Sequence, residues 1–312
     1  MNNWTKLQIG KAISFNPPES ISKGKEAKKI PMGSLTEFQR KVDSYELSNY
    51  NSGPKFRNGD TIMAKITPCL ENGKTAYVDI LEDDEVAFGS SEYIVLRKTF
   101  HTDSLYIYYL AISPTFRKRA ISCMEGTSGR KRVSEKTLKY FELDFPPVST
   151  QKQIAKVLSD LDVKIEINNK INQQLEAMAK TLYDYWFVQF DFPDKNGKPY
   201  KSSGGLMVFN EELKRDIPEG WDAGSLSSWI KNDKSGDWGK AEEQGNYVNK
   251  VSCIRGADLN GLNGKGTIKS PTRFVLEKNS HKLLEVGDFI IEISGGSPTQ
   301  STGRMAFITK ET

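Results

Sequence analysis

The most regular pattern in the chain is a recurrence of apolar residues over 149–189. No Pro or Gly interrupts this stretch, so nothing in it would break a helix. Thr150 with Gln153 matches a capping box, and Pro146-Pro147 stops any earlier helix from continuing. The apolar spacings alternate mostly between four and three, which is typical of a helix that pairs with another helix. This apolar stripe consists of Ile154, Leu158, Leu161, Ile165, Ile171, Leu175, Met178, Leu182 and Tyr185.

The stripe slips by one residue at the polar cluster Asn168, Asn169 and Asn172, which would shift it locally around the helix. A helix of about 40 residues at about 1.5 Å each would be a rod of roughly 60 Å. The pattern therefore predicts a long spacer helix over 149–190. The alternative is a core helix inside one large domain.

Residues 1–148 show shorter, β-type apolar runs. Thr61–Ile66 and Gly73–Val78 are predicted to be strands on either side of a loop that contains Pro68. Short helices are expected over 104–111 and 113–120, and a closing strand over 140–145. The predicted fold class is therefore mixed, α+β, with helices and strands in the same domain.

Residues 206–312 repeat the pattern of the first 148. Gly287–Ile291 matches Gly59–Met63, and Gly303–Ile308 matches Gly73–Val78, with a basic residue after the second glycine of each copy. The repeat predicts two related domains separated by the long helix. Residues 191–205, rich in Pro, Gly, Lys and Ser, would form a linker or an exposed hairpin. The second copy is expected to be incomplete, since it ends four residues after Ile308, whereas the first continues well beyond Val78. Either the gene is truncated or the sequence was cut.

The composition is that of a globular protein. The 312 residues are 37% hydrophobic and 27% charged, enough for two domains with their own cores. No apolar run is long enough to span a membrane, and the N-terminus lacks an export signal, so a cytoplasmic location is expected. Cys69, Cys123 and Cys253 are too few and too far apart for a disulfide framework or a metal site, and are predicted to be buried thiols.

The excess positive charge is local. The chain has a net charge of +4, and residues 1–148 hold all of the excess, with 22 basic and 18 acidic residues. Within 114–139 the basic residues face only Glu125 and Glu135, and a patch of this kind neutralises phosphates. It favours nucleic-acid binding over a merely solvated surface. The basic residues of the patch are Arg117, Lys118, Arg119, Arg130, Lys131, Arg132, Lys136 and Lys139.

Motifs for catalysis are missing from the sequence. There is no P-loop, and no Ser or Cys has a His partner in a recognisable motif. Asp288 with Glu292 lacks the Lys that a metal nuclease would carry two residues later, where Ser294 stands. Asn16-Pro17-Pro18 is followed by Glu19 rather than by the aromatic residue of an adenine methyltransferase loop. The sequence therefore favours binding over catalysis.

Three segments resemble the specificity (S) subunits of type I restriction–modification systems. They are Phe145–Val148 leading into Gln151–Asp162 and extending through Leu175–Tyr185, then Tyr200–Gly205, and then Ile217–Trp221. With the repeat, the resemblance covers nearly the whole chain and departs from the family at the incomplete second copy. It implies a non-catalytic subunit in which each target recognition domain reads one half of a split DNA site, with conserved helices setting the gap. The domains would then be 1–148 and 206–312, around the helix 149–190 and the linker 191–205.

The resemblance also implies partners. The helices of that family dock the methyltransferase (M) subunits, and restriction (R) subunits with motor and nuclease activity join for cleavage. The methyl donor, ATP and Mg would bind to those partners, and no cofactor to this chain. With no counterpart helix in the sequence, the apolar stripe would be covered either by a second copy of the chain or by residues beyond Thr312. The alternative function is a coiled-coil adaptor with two β-rich modules and no role on DNA; an enzyme acting alone is a more distant one.

Candidate DNA contacts follow from this resemblance and from position on predicted loops. Lys and Arg side chains would hold phosphates, and polar side chains would read base edges. In the first domain the candidates are Lys65, Thr67, Asn72, Lys74, Ser90, Ser91, Arg117, Lys118, Arg119, Thr127, Ser128, Arg130, Lys131 and Arg132. In the second domain they are Ser297, Thr299, Gln300, Ser301 and Arg304.

Overall fold

A computed structural model describes residues 3–127, 129–264, 266–294 and 302–309. The chain forms two compact units, residues 1–189 and 190–312, and combines helices with strands as predicted. The strands of the first unit are β1 Thr5–Gln8, β2 Ile13–Phe15, β3 Glu26–Ile30, β4 Glu46–Asn49, β5 Lys55–Phe56, β6 Thr61–Ala64, β7 Thr75–Tyr77, β8 Ala87–Gly89, β9 Tyr93–Lys98, β10 Met124–Glu125, β11 Arg132–Val133 and β12 Glu142–Phe145. Its helices are α1 Ile9–Ala12, α2 Ser104–Ile112, α3 Pro114–Ser122, α4 Glu135–Tyr140 and α5 Val148–Tyr183.

A four-stranded sheet in the order β2-β9-β6-β7 separates two hydrophobic cores in the first unit. Successive side chains of a strand point to opposite faces, so Met63 and Ile94 enter the core that contains α2 and α3. Ile62 and Val95 enter the other core, against the second sheet, β4-β3-β8-β5. Because both of its faces are covered, β6 is buried along its whole length.

Helix α5 begins one residue before the predicted start and ends in a π-helical turn over Asp184–Val188. The predicted capping box is wrong, because Pro147 occupies the N-cap position and no side chain caps the helix. The first turn is held instead by Gln151, which is fully buried. Its Oε1 accepts a hydrogen bond from the Asp103 amide at 2.9 Å. Its Nε2 donates to the His101 carbonyl at 2.8 Å and the Pro146 carbonyl at 2.9 Å.

The described part of the second unit contains three antiparallel strand pairs, β13–β14, β15–β16 and β17–β18. Residues 191–205 are folded, with the Asp191 carboxylate accepting hydrogen bonds from the backbone and hydroxyl of Ser202. Phe192 stacks on Tyr200 at 4.8 Å and on Trp221 at 5.2 Å between ring centroids. The elements are β13 Met207–Asn210, β14 Arg215–Pro218, β15 Tyr247–Ser252, α6 Leu259–Leu262, β16 Thr272–Leu276, β17 Phe289–Ile291 and β18 Met305–Phe307.

The glycine-bounded repeat has the same backbone geometry in both units. Strands β6–β7 and β17–β18 pair antiparallel, with Ile62 opposite Ala76 and Ile290 opposite Ala306. A glycine before the first strand of each pair donates its amide to the carbonyl of the residue just after the second strand. These hydrogen bonds join Gly59 to Val78 and Gly287 to Ile308, both at 2.9 Å. The sequence match between the copies therefore reflects one hairpin built twice.

Two further sequence expectations concern membranes and cysteines. Among the described residues, no helix combines the length and the apolar character needed to cross a membrane. Cys123 is buried, but Cys69 and Cys253 are partly exposed. The prediction of three buried thiols is therefore correct only for Cys123, since Cys69 lies in the loop after β6 and Cys253 directly follows β15.

Candidate nucleic-acid interface

The basic loop predicted around 126–132 is the tip of the short hairpin β10–β11. Met124 pairs with Val133 and Glu125 with Arg132, so the hairpin carries Gly126, Thr127, Arg130 and Lys131 outward from the first core. Gly126 has φ +119°, a conformation that L side chains rarely adopt. Val133 is buried in the core, while Arg130, Lys131 and Arg132 are exposed. The hairpin is thus anchored in the core by Val133 and exposes three consecutive cations to solvent.

This hairpin lies directly on the segment that follows β6. The Val133 amide donates to the Lys65 carbonyl at 2.8 Å, and the Thr67 amide donates to the Lys131 carbonyl at 3.0 Å. The Lys131 amide in turn donates to Thr67 Oγ1 at 3.1 Å. On the other side, the Lys65 amide donates to the Glu92 carbonyl at 2.8 Å, next to Ser90 and Ser91. Three stretches predicted to contact DNA, 65–67, 90–91 and 130–132, therefore form one continuous surface, which we call the hairpin surface.

Arg132 is already paired on this surface. Its Nε lies 2.9 Å from Glu92 Oε2 and its Nη2 lies 2.7 Å from Glu92 Oε1, a bidentate ion pair. The hydrogen bonds from Arg132 lower the pKa of Glu92, and burial opposes the shift. Within the described residues, neither Arg130 nor Lys131 has an ion pair. Arg130 and Lys131 are consequently better placed than Arg132 to meet a phosphate.

Arg117 does not point outward as predicted. Its Nη2 donates to the Glu71 carbonyl at 2.6 Å, and its guanidinium lies over the Phe38 ring at 4.6 Å from the centroid. These contacts shape the loop that contains Asn72, which is exposed. Lys118 and Arg119 are exposed on the same helix, α3. The outward charge of α3 therefore comes from Lys118 and Arg119.

Of the other predicted contacts, some are exposed, some are bonded within the protein, and some lie outside the described residues. Thr127 is exposed at the tip of the hairpin, and Lys74 Nζ donates to the Met32 carbonyl at 3.2 Å. In the second unit Arg304 forms a bidentate pair with Glu292, with both bonds at 2.8 Å. The predicted residues that lie outside the described ranges are Ser128, Ser297, Thr299, Gln300 and Ser301.

Comparison with known proteins identifies the family of the chain. Residues 4–177 match the family model described as type I restriction modification DNA specificity domain. The chain belongs to this family. The specificity subunit of the type I restriction enzyme MjaIX of Methanocaldococcus jannaschii is 34% identical over 128 residues, which are 41% of this chain and 27% of that protein. The HindI specificity subunit of Haemophilus influenzae is 27% identical over 220 residues, 68% of this chain and 46% of that protein.

The chain thus spans between about a quarter and a half of the length of these specificity subunits. Among solved structures, the HsdS subunit from Thermoanaerobacter tengcongensis aligns with a TM-score of 0.45 at 15% identity. That alignment covers 98% of this chain and 73% of the other.

The apolar stripe of α5 in this specificity subunit family member divides into a buried part and an exposed part. Ile154 and Leu158 are partly buried against the first core, so they pack within the unit instead of facing a partner. The stripe is exposed from Leu161 onward, with 51% of Leu161 and 67% of Met178 accessible. The exposed members are Leu161, Ile165, Ile171, Leu175, Met178, Leu182 and Tyr185.

A polar contact that the sequence did not predict fixes the next turns of α5 to the first unit. Tyr109 Oη donates to Asp162 Oδ2 at 2.6 Å. Burial is the main cause that raises the pKa of Tyr109, and the hydrogen bond to Asp162 adds to it. One turn further on, Glu166 pairs with Lys41 and lies 3.7 Å from Arg40 Nη2. We call these pairs the helix–domain contact. Asp162 and Glu166 follow at i and i+4, a spacing that signals one face of a helix but not its partners.

Proposed function

We propose that this chain is the DNA-recognition subunit of a type I restriction–modification complex and that it catalyses no reaction itself. The observation that carries the proposal is the hairpin surface, on which backbone hydrogen bonds hold a basic loop against 65–67. Two supports are independent of it: the family match over residues 4–177 and the similarity to the specificity subunits of two type I restriction enzymes. Each of the two units would read one half of a bipartite site.

The hairpin surface suits two kinds of contact with duplex DNA. Exposed Arg130 and Lys131 would neutralise phosphates and set the register of the protein on the duplex. Thr67, Ser90 and Ser91 lie beside them and offer hydroxyl groups that donate or accept at base edges. Thr67 is already positioned by Lys131, so phosphate binding and base reading would be coupled through the backbone.

Helix α5 would act as spacer and docking surface. The helix–domain contact fixes the direction of α5 relative to the first unit. Successive base pairs are about 3.4 Å apart along each strand. The direction of the helix would therefore help to set the number of base pairs between the half-sites. The exposed stripe from Leu161 to Tyr185 would be covered by methyltransferase subunits or by a helix of a second copy. Restriction subunits would join that complex in the cytoplasm, and the methyl donor, ATP and Mg would bind to the partners.

The test is methylation in cells. The chain would be expressed with the methyltransferase gene beside its own in a host without that modification, and methylated adenines mapped by single-molecule sequencing. A split motif is expected; a palindromic motif would indicate two copies of the first unit, and an asymmetric one two different recognition units. A stable complex without new methylation and without affinity for DNA would overturn the proposal in favour of a coiled-coil adaptor.

A further inference from the structure

The two copies of the hairpin place a cation at the same point of the backbone. The Ala64 amide donates to the Lys74 carbonyl at 3.0 Å, and the Glu292 amide donates to the Arg304 carbonyl at 2.9 Å. Lys74 and Arg304 are therefore equivalent, and so are Ala64 and Glu292. The first pair closes the base of the loop over 65–73, and the second pair lies directly after β17 and directly before β18.

The cation has the same kind of acceptor in both units. A 3₁₀ turn spans Met32–Ser34 in the first unit and Gly256–Asp258 in the second, and a fully buried leucine follows each turn. Lys74 Nζ donates to the Met32 carbonyl at 3.2 Å, and Arg304 Nη2 donates to the Gly256 carbonyl at 2.9 Å. Both acceptors are the first residue of the turn, so two different side chains form one equivalent hydrogen bond.

The residues around this hydrogen bond change together between the copies. An arginine has five donors in a planar fork, more than one carbonyl can satisfy. The second unit supplies the missing acceptor through Glu292, at the position that Ala64 occupies in the first. A Cβ on Gly256 would collide with the Glu292 carboxylate, and Gly256 stands where the first unit has Met32. Met32, Ala64 and Lys74 are thus exchanged for Gly256, Glu292 and Arg304 as a set.

We propose that Lys74 and Arg304 are positioning residues that hold the paired strand ends of the repeated hairpin in each unit and do not themselves contact DNA. The inference rests on the proposed function, since the segments between these strand ends carry the predicted base-reading residues. In the first unit those residues are Lys65, Thr67 and Asn72. Lysine in one copy and arginine in the other donate to the equivalent backbone carbonyl. This common acceptor indicates that the side chain stabilises the fold and does not bind a phosphate.

The first experiment compares Lys74→Met with Lys65→Met, which removes the same charge from the other end of the same loop, at a side chain that has no hydrogen-bond partner within the described residues. In the free full-length chain, amide hydrogen exchange over 65–74 should become about tenfold faster in K74M, the effect of losing one charged hydrogen bond. It should stay unchanged in K65M. Equal exchange in K74M and the unsubstituted chain would overturn the inference.

A second readout uses the salt dependence of binding to a mixed-sequence duplex DNA. The slope of log affinity against log salt falls by about 0.9 for each phosphate that the protein no longer neutralises. It should keep its value in K74M, and a fall of about 0.9 would place Lys74 on a phosphate and overturn the inference. If the unsubstituted chain does not bind DNA, the proposed function fails, whereas the exchange experiment still decides the role of Lys74.

The second unit allows a test of whether Glu292 and Arg304 depend on each other, as the coordinated substitution between the two copies predicts. Glu292→Ala alone leaves the arginine fork without its carboxylate, and the amides of Glu292 and Gly303, which bond across the loop base, should exchange about tenfold faster. Glu292→Ala combined with Arg304→Lys recreates the pair of the first unit. It should recover most of the protection that Glu292→Ala removes. A double variant that exchanges as fast as E292A would contradict the equivalence of the two positions.

Discussion

Replacement of Gln151 by alanine should loosen the joint between helix α5 and the first unit. The buried amide makes three hydrogen bonds of 2.8–2.9 Å, to the Asp103 amide and to the carbonyls of His101 and Pro146. No side-chain cap replaces them, because the N-cap residue is Pro147 and no side chain caps the helix. At about 1 kcal/mol for each bond, the loss is about 3 kcal/mol of the free energy of unfolding, or more than about a hundredfold in the opening equilibrium.

The assay is native-state hydrogen exchange of peptides from β9 and α2, because these report the first unit separately from the second. Gln153→Ala is the matched control: it is the same residue type on the same helix, but exposed, and its loss should cost less than about 0.5 kcal/mol. If Q151A and Q153A agreed within about 0.5 kcal/mol, the three bonds could not be what holds the helix start.

Three other expectations concern α5 and the second unit. Tyr109→Phe should leave Asp162 without its donor, cost about 2 kcal/mol and speed hydrogen exchange over 159–166; unchanged exchange would contradict the helix–domain contact. Leu175→Glu should weaken association with a methyltransferase subunit or a second copy at least tenfold by sedimentation, whereas Gln173→Glu, about 200° around the helix, should not. Hydrogen bonds from Arg255 hold the pKa of buried Asp258 well below its usual range. Because that pKa is depressed, the stability that Asp258→Asn removes should be present above about pH 4 and should shrink as the pH falls further, as urea unfolding would show.

Features that depend on neighbouring residues were predictable from the sequence. The predicted helix over 104–111 is observed as Ser104–Ile112, and the stretch predicted from 149 begins at Val148. The hairpin repeat was visible because glycines with positive φ, such as Gly59 and Gly287, mark the same turn in both copies. In each case the signal is a periodicity or a required backbone conformation, which a single sequence contains.

The start of α5 shows what such patterns miss. Thr150 and Gln153 fit a capping box, yet the helix is held by Gln151, whose partners lie 48, 50 and 5 residues away in the sequence. Glutamine is ordinarily an exposed residue, and nothing in the sequence says that this one is buried. The buried amide works because the Asp103 amide and two carbonyls converge there, which only the tertiary fold determines.

The same limit applies to the positive charge, and it changes the expected strength of DNA binding. The basic candidates in the first unit are Lys65, Lys74, Arg117, Lys118, Arg119, Arg130, Lys131 and Arg132. Three of these, Lys74, Arg117 and Arg132, are held by the Met32 carbonyl, the Glu71 carbonyl and Glu92, partners 40 or more residues away.

The sequence alone would predict a salt slope of about 7 for the eight cations, at about 0.9 for each neutralised phosphate. If only the other five cations meet phosphates, the slope for the first unit is at most about 4.5. Arg130→Ala should then lower the slope by about 0.9, and Arg132→Ala by less, because Glu92 already neutralises Arg132. A measured slope near about 7, or equal effects of R130A and R132A, would mean that DNA displaces the internal partners and that the total charge of the sequence was the better guide.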